Sequence, residues 1–118
     1  MANPYGVPEL SPAEVAQRLA RGDGFVLLDV REPYELELVA LDGEVLAAPV
    51  GALIREGAAA LPPEARDPQA DIVLFCHHGI RSAQVGAWLL QNGWTKVSHM
   101  AGGIDAYARE VDPSIGFY

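Results

Sequence analysis

The stretch VLFCHHGIRSAQVGAWLL, residues 73–90, joins an apolar run, a short polar loop and the start of a helix. An uninterrupted apolar run such as DIVLF, residues 71–75, is typical of a strand covered on both faces of a parallel sheet. The helical part places Val85 and Leu89 on one face. The chain's single cysteine, Cys76, lies between the two elements. The stretch therefore predicts a strand–loop–helix unit of an α/β protein, with Cys76 at the carboxyl end of the strand.

Strands and helices alternate over the rest of the chain as well. Ser11, Pro12 and Glu14 have the spacing of a capped helix start, and Gly22 is a helix stop. We predict strands in the segments 25–30, 44–50, 71–75 and 96–100, with helical segments at 10–20, 31–39, 51–61, 82–93 and 102–111. This order predicts an α/β fold with a mainly parallel central sheet flanked by helices on both faces, formed by one domain over residues 1–118.

The charge of the chain limits its partners. Eight Lys and Arg stand against sixteen Asp and Glu, a net charge of −8, which argues against nucleic acid or an anionic membrane. Between Ile72 and Ile104 there is no acidic residue, although Arg81, Lys96 and all three histidines lie there. This gap is explained either by packed elements with little room for charge or by an anion site, and the two readings are compatible.

The chain start, MANPYGVPEL, has neither the basic stretch nor the apolar core of a signal peptide, and no run of eighteen apolar residues occurs. We therefore expect a cytoplasmic protein. One cysteine cannot form an internal disulfide, so Cys76 is either a small buried hydrophobe or a functional thiol.

The position of Cys76 favours a functional thiol. In open α/β sheets, ligands bind beyond the carboxyl ends of the strands. Gly79 permits a positive φ, so the backbone N–H groups of residues 76–82, the cysteine loop, can turn toward the sulfur and open onto a helix N-terminus. Arg81 adds a permanent charge and a bidentate donor. Such surroundings favour a nucleophilic thiolate.

Three segments of the chain resemble the rhodanese family of thiosulfate and persulfide sulfurtransferases. The cysteine loop has that family's spacing of Cys76, Gly79, Arg81 and Ser82. LLDVREPYE, residues 27–35, is similar to the family's Asp-x-Arg segment, and MAGGIDAYAREV, residues 100–111, to its closing Gly-Gly helix, with Tyr107 where many members carry tryptophan. The resemblance implies a single-domain rhodanese-like fold in which Cys76 carries sulfane sulfur as a persulfide. It also implies that Asp29 and Arg31 brace the cysteine loop through hydrogen bonds and an ion pair.

Loop length separates this reading from a phosphatase or an arsenate reductase. Tyrosine-phosphatase-like enzymes place arginine after a cysteine and five further residues, but here that position is Ser82 and the arginine comes one residue earlier. The shorter loop suits one added sulfur atom better than a tetrahedral phosphate. This inference rests partly on the resemblance to the rhodanese family. Sulfite also leaves thiosulfate without a general acid, and the loop has no carboxylate.

The sequence thus predicts a sulfurtransferase that takes sulfane sulfur from thiosulfate or a persulfide donor, including a protein persulfide, and passes it to a thiol or cyanide. The alternative is a sulfur carrier or regulatory binding module that recognises a protein partner without efficient turnover. Cys76 is the expected nucleophile, and the expected substrate-binding residues are His77, His78, Gly79, Ile80, Arg81 and Ser82. No cofactor is expected, and the oligomeric state stays open.

The remaining polar and aromatic residues are expected mainly in loops, in the core and in the tail. His77 and His78 lack the spacing of a metal site, so we expect no metal. One or both either line the mouth of the loop and help to select an anion or an acceptor thiol, or are solvated loop residues. His99, in the last predicted strand, is expected to be partly buried with its hydrogen bonds made, and it is given no role. Trp88 and Trp94 are expected in the core. The tail DPSIGFY, residues 112–118, either packs on the body or contacts a partner.

Overall fold

A computed structural model describes residues 3–118; the first two residues of the predicted domain and of the quoted chain start lie outside this part. Its centre is a parallel sheet of five strands in the order β1-β5-β4-β2-β3. The strands are β1 (Glu9–Leu10), β2 (Val26–Asp29), β3 (Val45–Ala47), β4 (Ile72–Phe75) and β5 (Val97–Met100). The predicted α/β fold with a parallel sheet is confirmed.

Five α-helices connect and cover these strands. They are α1 (Pro12–Arg21), α2 (Pro33–Leu38), α3 (Val50–Glu56), α4 (Ile80–Gln91) and α5 (Gly103–Glu110), with 3₁₀ turns at Gly57–Ala60, Pro63–Ala65 and Pro113–Ile115. The capping box predicted for α1 is present: the Glu14 N–H donates to Ser11 Oγ at 3.1 Å, and the Ser11 N–H donates to Glu14 Oε1 at 2.9 Å. Within residues 3–118, no helix has the length and apolar character needed to cross a membrane.

The sheet divides the core into two layers because successive strand residues point to opposite faces. In β4, Ile72 and Leu74 join one cluster, while Val73 and Phe75 join the other. The first cluster includes buried side chains of α3 and α4 (Leu53, Val85 and Leu89), and the second includes side chains of α1 and α5 (Val15 and Ile104). Full burial of one such large aliphatic or aromatic side chain stabilises the fold by roughly 1.5–3 kcal/mol.

The strand that the sequence does not reveal is β1. It has two residues, too few for a period-two pattern, and the sequence interpretation treats Leu10 as part of the approach to α1. Glu9 pairs in register with His99, and the His99 N–H donates to the Pro8 carbonyl at 3.0 Å. This short edge strand therefore places the Glu9 carboxylate beside the β5 histidine.

Candidate active site

Cys76 directly follows β4 and lies at the N-terminus of α4. Its Sγ is 3.1 Å from the backbone N of Gly79 and 3.4 Å from that of Ser82, so two amides donate to the sulfur. Gly79, the N-cap of α4, has φ 99°, a conformation that favours glycine. The helix N-terminus and the inward amides favour negative charge on sulfur. Cys76 is only 1% exposed, so its sulfur is almost closed off from solvent.

The first turn of α5 holds the cysteine loop in this orientation. The Ile104 N–H donates to the Cys76 carbonyl at 2.8 Å, and the Asp105 N–H donates to the His77 carbonyl at 3.1 Å. Gly103 makes this approach possible, because a Cβ there would overlap the carbonyl oxygens of Cys76 and His77. With their carbonyls bound to α5, the loop peptides can direct N–H groups at the sulfur. The Gly-Gly segment thus has a packing reason that the sequence alone did not supply.

Ser82 extends the site from the sulfur into the protein. Its Oγ is 3.5 Å from Cys76 Sγ and 2.8 Å from His99 Nδ1. His99 Nε2 is in turn 2.9 Å from Glu9 Oε2, and both Ser82 and His99 are buried. Burial lowers the pKa of His99, and the hydrogen bond that His99 donates to Glu9 raises it in part. Sequence reasoning gave His99 no role and did not single out Glu9, since 90 residues separate the two.

Arg81 turns its guanidinium toward α2 and forms a bidentate pair with Glu35. The Nη1–Oε2 and Nη2–Oε1 distances are 2.7 Å and 2.8 Å. The hydrogen bonds from Arg81 lower the pKa of the buried Glu35 to about 2, and the same pairing raises the pKa of Arg81. Arg81 is predicted to bind an anion, but both of its terminal nitrogens already have a carboxylate partner. Binding of substrate by Arg81 stays a prediction.

Asp29 and Arg31 form a second, fully buried pair at the end of β2. Arg31 Nη2 lies 2.8 Å from Asp29 Oδ2, and Arg31 Nε lies 3.0 Å from Asp29 Oδ1. Arg31 Nη1 donates to the Tyr118 hydroxyl at 3.0 Å, and that hydroxyl donates to Glu35 Oε1 at 3.0 Å. The pair is thus linked to the cysteine loop through Tyr118 and Glu35 rather than by direct bonds to the sulfur. Its role as a brace stays a prediction of the resemblance.

The outer part of the loop carries the two adjacent histidines. The His77 ring stacks on Tyr118 with 3.8 Å between centroids and 7° between planes, so the tail packs on the body. Burial, and then the neighbouring His78, lower the pKa of His77. His77 Nε2 is buried and has no hydrogen-bond partner within residues 3–118. His78 and Ile80 are largely exposed, so they lie at the surface of the loop as expected for its mouth.

His77, His78 and Asp105 have donor atoms within 4.8 Å of one another, which makes them the cluster to consider for a metal ion. However, Asp105 Oδ2 accepts a hydrogen bond from Arg109 Nε at 2.9 Å, and its distance to His78 Nδ1 is 3.9 Å. A metal would have to displace Arg109 from that oxygen. We therefore assign no metal to this cluster.

A parallel sheet with an amide-lined cysteine at the N-terminus of a helix is the arrangement of a rhodanese-like protein. The family described as rhodanese-like domain matches residues 11–110, and the chain belongs to this family. It is 32% identical to a sulfurtransferase of Allochromatium vinosum over 109 residues, which covers 92% of this chain and 95% of that protein. The human single-domain sulfurtransferase TSTD1 has the same fold, with a TM-score of 0.72, 26% identity and coverage of 89% of this chain and 98% of that one.

Other relatives are larger proteins. The chain is 33% identical over 109 residues to the probable adenylyltransferase/sulfurtransferase MoeZ of Mycobacterium tuberculosis, which covers 92% of this chain but 26% of that protein. The chain thus spans about a quarter of the length of this relative. Matching proteins also include some named tRNA uridine(34) hydroxylase. The domain therefore occurs in proteins with different names and different overall activities.

Proposed function

We propose that this protein is a sulfurtransferase that carries sulfane sulfur on Cys76 as a persulfide. The observation that carries the proposal is the sulfur itself, held at a helix N-terminus by the N–H groups of Gly79 and Ser82. These donors stabilise a thiolate, which is the nucleophilic form of cysteine. The membership of the rhodanese-like family and the similarity to proteins named sulfurtransferase support the same reaction class.

The proposed reaction has two steps. In the first, the Cys76 thiolate attacks the outer sulfur of thiosulfate or of a persulfide donor. A new S–S bond forms, the donor's S–S bond breaks, and sulfite or a thiolate leaves with the electron pair. In the second, a thiol or cyanide attacks the outer sulfur of the Cys76 persulfide, and Cys76 leaves as a thiolate. The amides of Gly79 and Ser82 stabilise the cysteine sulfur whenever it carries negative charge.

The charges around the loop bear on the choice of donor. Arg81 is neutralised by Glu35, and Arg31 is neutralised by Asp29. The chain as a whole carries a net charge of −8. A small dianion such as thiosulfate gains little from paired cations in an acidic protein. These charges favour a persulfide donor over thiosulfate, and the donor and acceptor would be small thiols or protein cysteines.

The second candidate function is a sulfur carrier or regulatory module recognised by a protein partner. The 1% exposure of Cys76 favours it, because a closed loop slows exchange with small donors unless a partner opens it. Occurrence of the domain within longer relatives is compatible with this function. As a carrier, Cys76 would accept sulfur from one protein partner and pass it to another, with poor turnover on small molecules.

Mass spectrometry of the intact protein after incubation with thiosulfate, glutathione persulfide or a loaded cysteine desulfurase tests the proposal. We expect the mass of one added sulfur atom, which is lost on treatment with a thiol or cyanide. Cys76→Ser serves as the control, and it should keep the fold and gain no sulfur. If reduced, accessible Cys76 stays unmodified with every donor, the proposal is wrong.

Steady-state kinetics separate the enzyme from the carrier. Repeated turnover with a small persulfide and a thiol supports the enzyme, whereas one fast loading event restricted to the protein donor supports the carrier. An assay with an aryl phosphate serves as the check on the phosphatase alternative. Appreciable hydrolysis that is abolished in Cys76→Ser would favour that alternative instead.

A further inference from the structure

A continuous chain of polar contacts leads from the reactive sulfur along the α4 side of the sheet to the edge strand β1. It runs from Cys76 Sγ to Ser82 Oγ (3.5 Å), on to His99 Nδ1 (2.8 Å), and from His99 Nε2 to Glu9 Oε2 (2.9 Å). We call these four residues the buried relay. The residues nearest the sulfur are 0–1% exposed, so water does not compete for their hydrogen bonds.

The carboxylate of Glu9 fixes the protons in this chain. A carboxylate only accepts, so His99 Nε2 carries a hydrogen and donates it to Glu9. In the neutral ring, Nδ1 is then an acceptor for the Ser82 hydroxyl, and the Ser82 oxygen is free to accept the thiol proton. Asn3 Nδ2 also lies 3.2 Å from Nε2, but its amide donates to the Val7 carbonyl at 2.7 Å. The arrangement leaves the Nδ1 side of His99 ready to receive a proton from the direction of the sulfur.

We propose, building on the proposed sulfur transfer, that His99 takes up the Cys76 proton through Ser82 and that Glu9 stabilises the resulting imidazolium. The thiol proton moves to Ser82 Oγ while the Ser82 hydroxyl proton moves to His99 Nδ1. The products are a thiolate and an imidazolium, with no change in the total number of protons. Ser82 then donates to the thiolate, and His99 donates to Ser82 and to Glu9. Ser82 and His99 are positioning residues that set the charge state of the catalytic sulfur.

The relay acts in both halves of the reaction. During loading, it removes the proton from the attacking sulfur, and when a persulfide has formed, the negative charge lies on the terminal sulfur, one atom further from Ser82. The imidazolium then interacts less strongly with this charge and releases its proton. During unloading, the departing Cys76 sulfur regains negative charge, and the Ser82 hydroxyl can again donate to it. Proton release is thereby tied to the presence of sulfur on Cys76.

The released proton has an exit through Glu9. A cavity of about 350 Å³ is lined by His99 and Glu9 together with the loop residues His78, Gly79 and Ile80. Glu9 is partly exposed, with 24% of its side chain accessible, whereas His99 is 1% accessible. Glu9 therefore connects the buried ring to solvent.

Other charged groups near the sulfur hold their charges in pairs. On α4, Arg81 is paired with Glu35 from α2; on the tail side, Tyr118 donates to the same Glu35. His77 and His78 of the loop face Tyr118 and Asp105. The relay is thus the direct hydrogen-bonded proton path from Sγ among the contacts of residues 3–118, since Gly79 and Ser82 otherwise contribute only amides.

The pH dependence of Cys76 alkylation by iodoacetamide tests the relay without any sulfur donor. Asparagine at position 99 can still bond to Ser82 but cannot take up a proton, so His99→Asn should raise the midpoint of thiolate formation by about one pH unit. Ser82→Ala should shift the midpoint in the same direction, and Glu9→Gln by a smaller amount. Glu110→Gln, the same change at an exposed position of α5, is the matched control and should leave it unchanged. An unshifted midpoint in folded His99→Asn overturns the proposal.

Nitrogen-15 NMR of histidine-labelled protein covers the case in which the buried variants do not fold. Burial lowers the pKa of His99, so the imidazolium is expected only where the charge of a Cys76 thiolate offsets this effect. At a pH at which Cys76 is alkylated as a thiolate, native protein should show both His99 ring nitrogens protonated. In Cys76→Ser, whose hydroxyl stays neutral, His99 should be neutral with its proton on Nε2. A neutral His99 in the native protein, or an imidazolium that persists in Cys76→Ser, overturns the proposal. Neither measurement requires sulfur transfer, so a relay can be established even if the proposed function fails.

Discussion

The charged side chains around Cys76 form ion pairs, and each pair depends on a single carboxylate. Glu35 binds both terminal nitrogens of Arg81, so the one cation of the cysteine loop is already neutralised. An arginine placed after a catalytic cysteine suggests an anion ligand when the sequence is considered alone. The structure shows that Arg81 also forms an internal ion pair, so an anion that binds there, as predicted, would have to compete with Glu35.

Glu35→Gln tests the effect of this pair on donor choice. The glutamine keeps the shape of the side chain but leaves the Arg81 charge without a counter-charge. We expect kcat/KM for thiosulfate to rise about fivefold, because one additional net positive charge within a few ångström is worth on the order of 1 kcal/mol at a partly exposed site. The rate with an uncharged organic persulfide should change much less.

The double variant Glu35→Gln/Arg81→Gln is the control for this prediction, since it removes the charge again while keeping the neutral glutamine. Its thiosulfate rate should return to the native level or below. Equal rates for all three proteins would show that the pair does not determine donor choice.

Tyr118 connects the two ion pairs through one hydroxyl group. Tyr118→Phe removes the bonds to Arg31 and Glu35 but keeps the ring that stacks on His77. Loss of a partner for buried charged groups should lower the free energy of unfolding by about 1–3 kcal/mol, measured by urea denaturation. The exposed Tyr34 offers the control Tyr34→Phe, for which no change is expected. Equal stability of the two variants would contradict the linking role of the hydroxyl.

At the scale of elements, the N-terminus of α5 determines the shape of the cysteine loop. Gly103→Ala should distort that loop, since the new methyl group meets the carbonyls of Cys76 and His77. Gly22→Ala is a close match, because its φ of 67° is nearly that of Gly103 at 65° and its added Cβ meets nothing within 4 Å. Both variants share the cost of a left-handed backbone, about 1 kcal/mol.

Thermal unfolding and the alkylation rate of Cys76 together measure the difference between these variants. Gly103→Ala should lose at least about 2 kcal/mol more stability than Gly22→Ala and should also alter the reactivity of Cys76. Gly22→Ala should react at the native rate. Native alkylation in a folded Gly103→Ala protein would show that α5 does not hold the loop.

The elements that the sequence predicts are those with a local pattern. The apolar run of β4, the capping box of α1 and the apolar face of α4 each lie within a dozen residues and are confirmed. β1 is too short to show any pattern, and its pairing with β5 joins residues 90 positions apart. The location of Cys76 follows from local signals, whereas the partner of Arg81 lies 46 residues away. Contacts between residues so far apart in the sequence form only when the sheet is packed. The sequence therefore gives no sign of the contact between His99 and Glu9.

For the whole molecule, the Glu35 carboxyl connects site electrostatics to acid stability. Its pKa is lowered to about 2 in the folded protein, mainly by the Arg81 hydrogen bonds, against an ordinary 4.5. A lowered folded pKa means that this stabilisation is fully present above pH 4.5 and is lost as the pH falls toward 2. The loss should amount to on the order of 3 kcal/mol at most. Urea unfolding at a series of pH values measures it.

Glu35→Gln provides the comparison, because the amide does not titrate in this range. The difference in stability between native protein and Glu35→Gln should shrink as the pH is lowered from 4.5 to 2. A difference that stays constant over this interval would mean that the carboxyl does not keep its lowered pKa in the folded state.

Both ends of the described chain reach the carboxyl edge of the sheet: Asn3 lies against His99, and Tyr118 stacks on His77. A protein fused after residue 118 would begin beside His77, the neighbour of Cys76 in the sequence. Joining an acceptor cysteine by a short flexible linker would raise its local concentration at Cys76 to the millimolar range without any change in the loop. The same proximity makes an affinity tag at residue 118 a potential obstruction, so tagged preparations need comparison with cleaved ones.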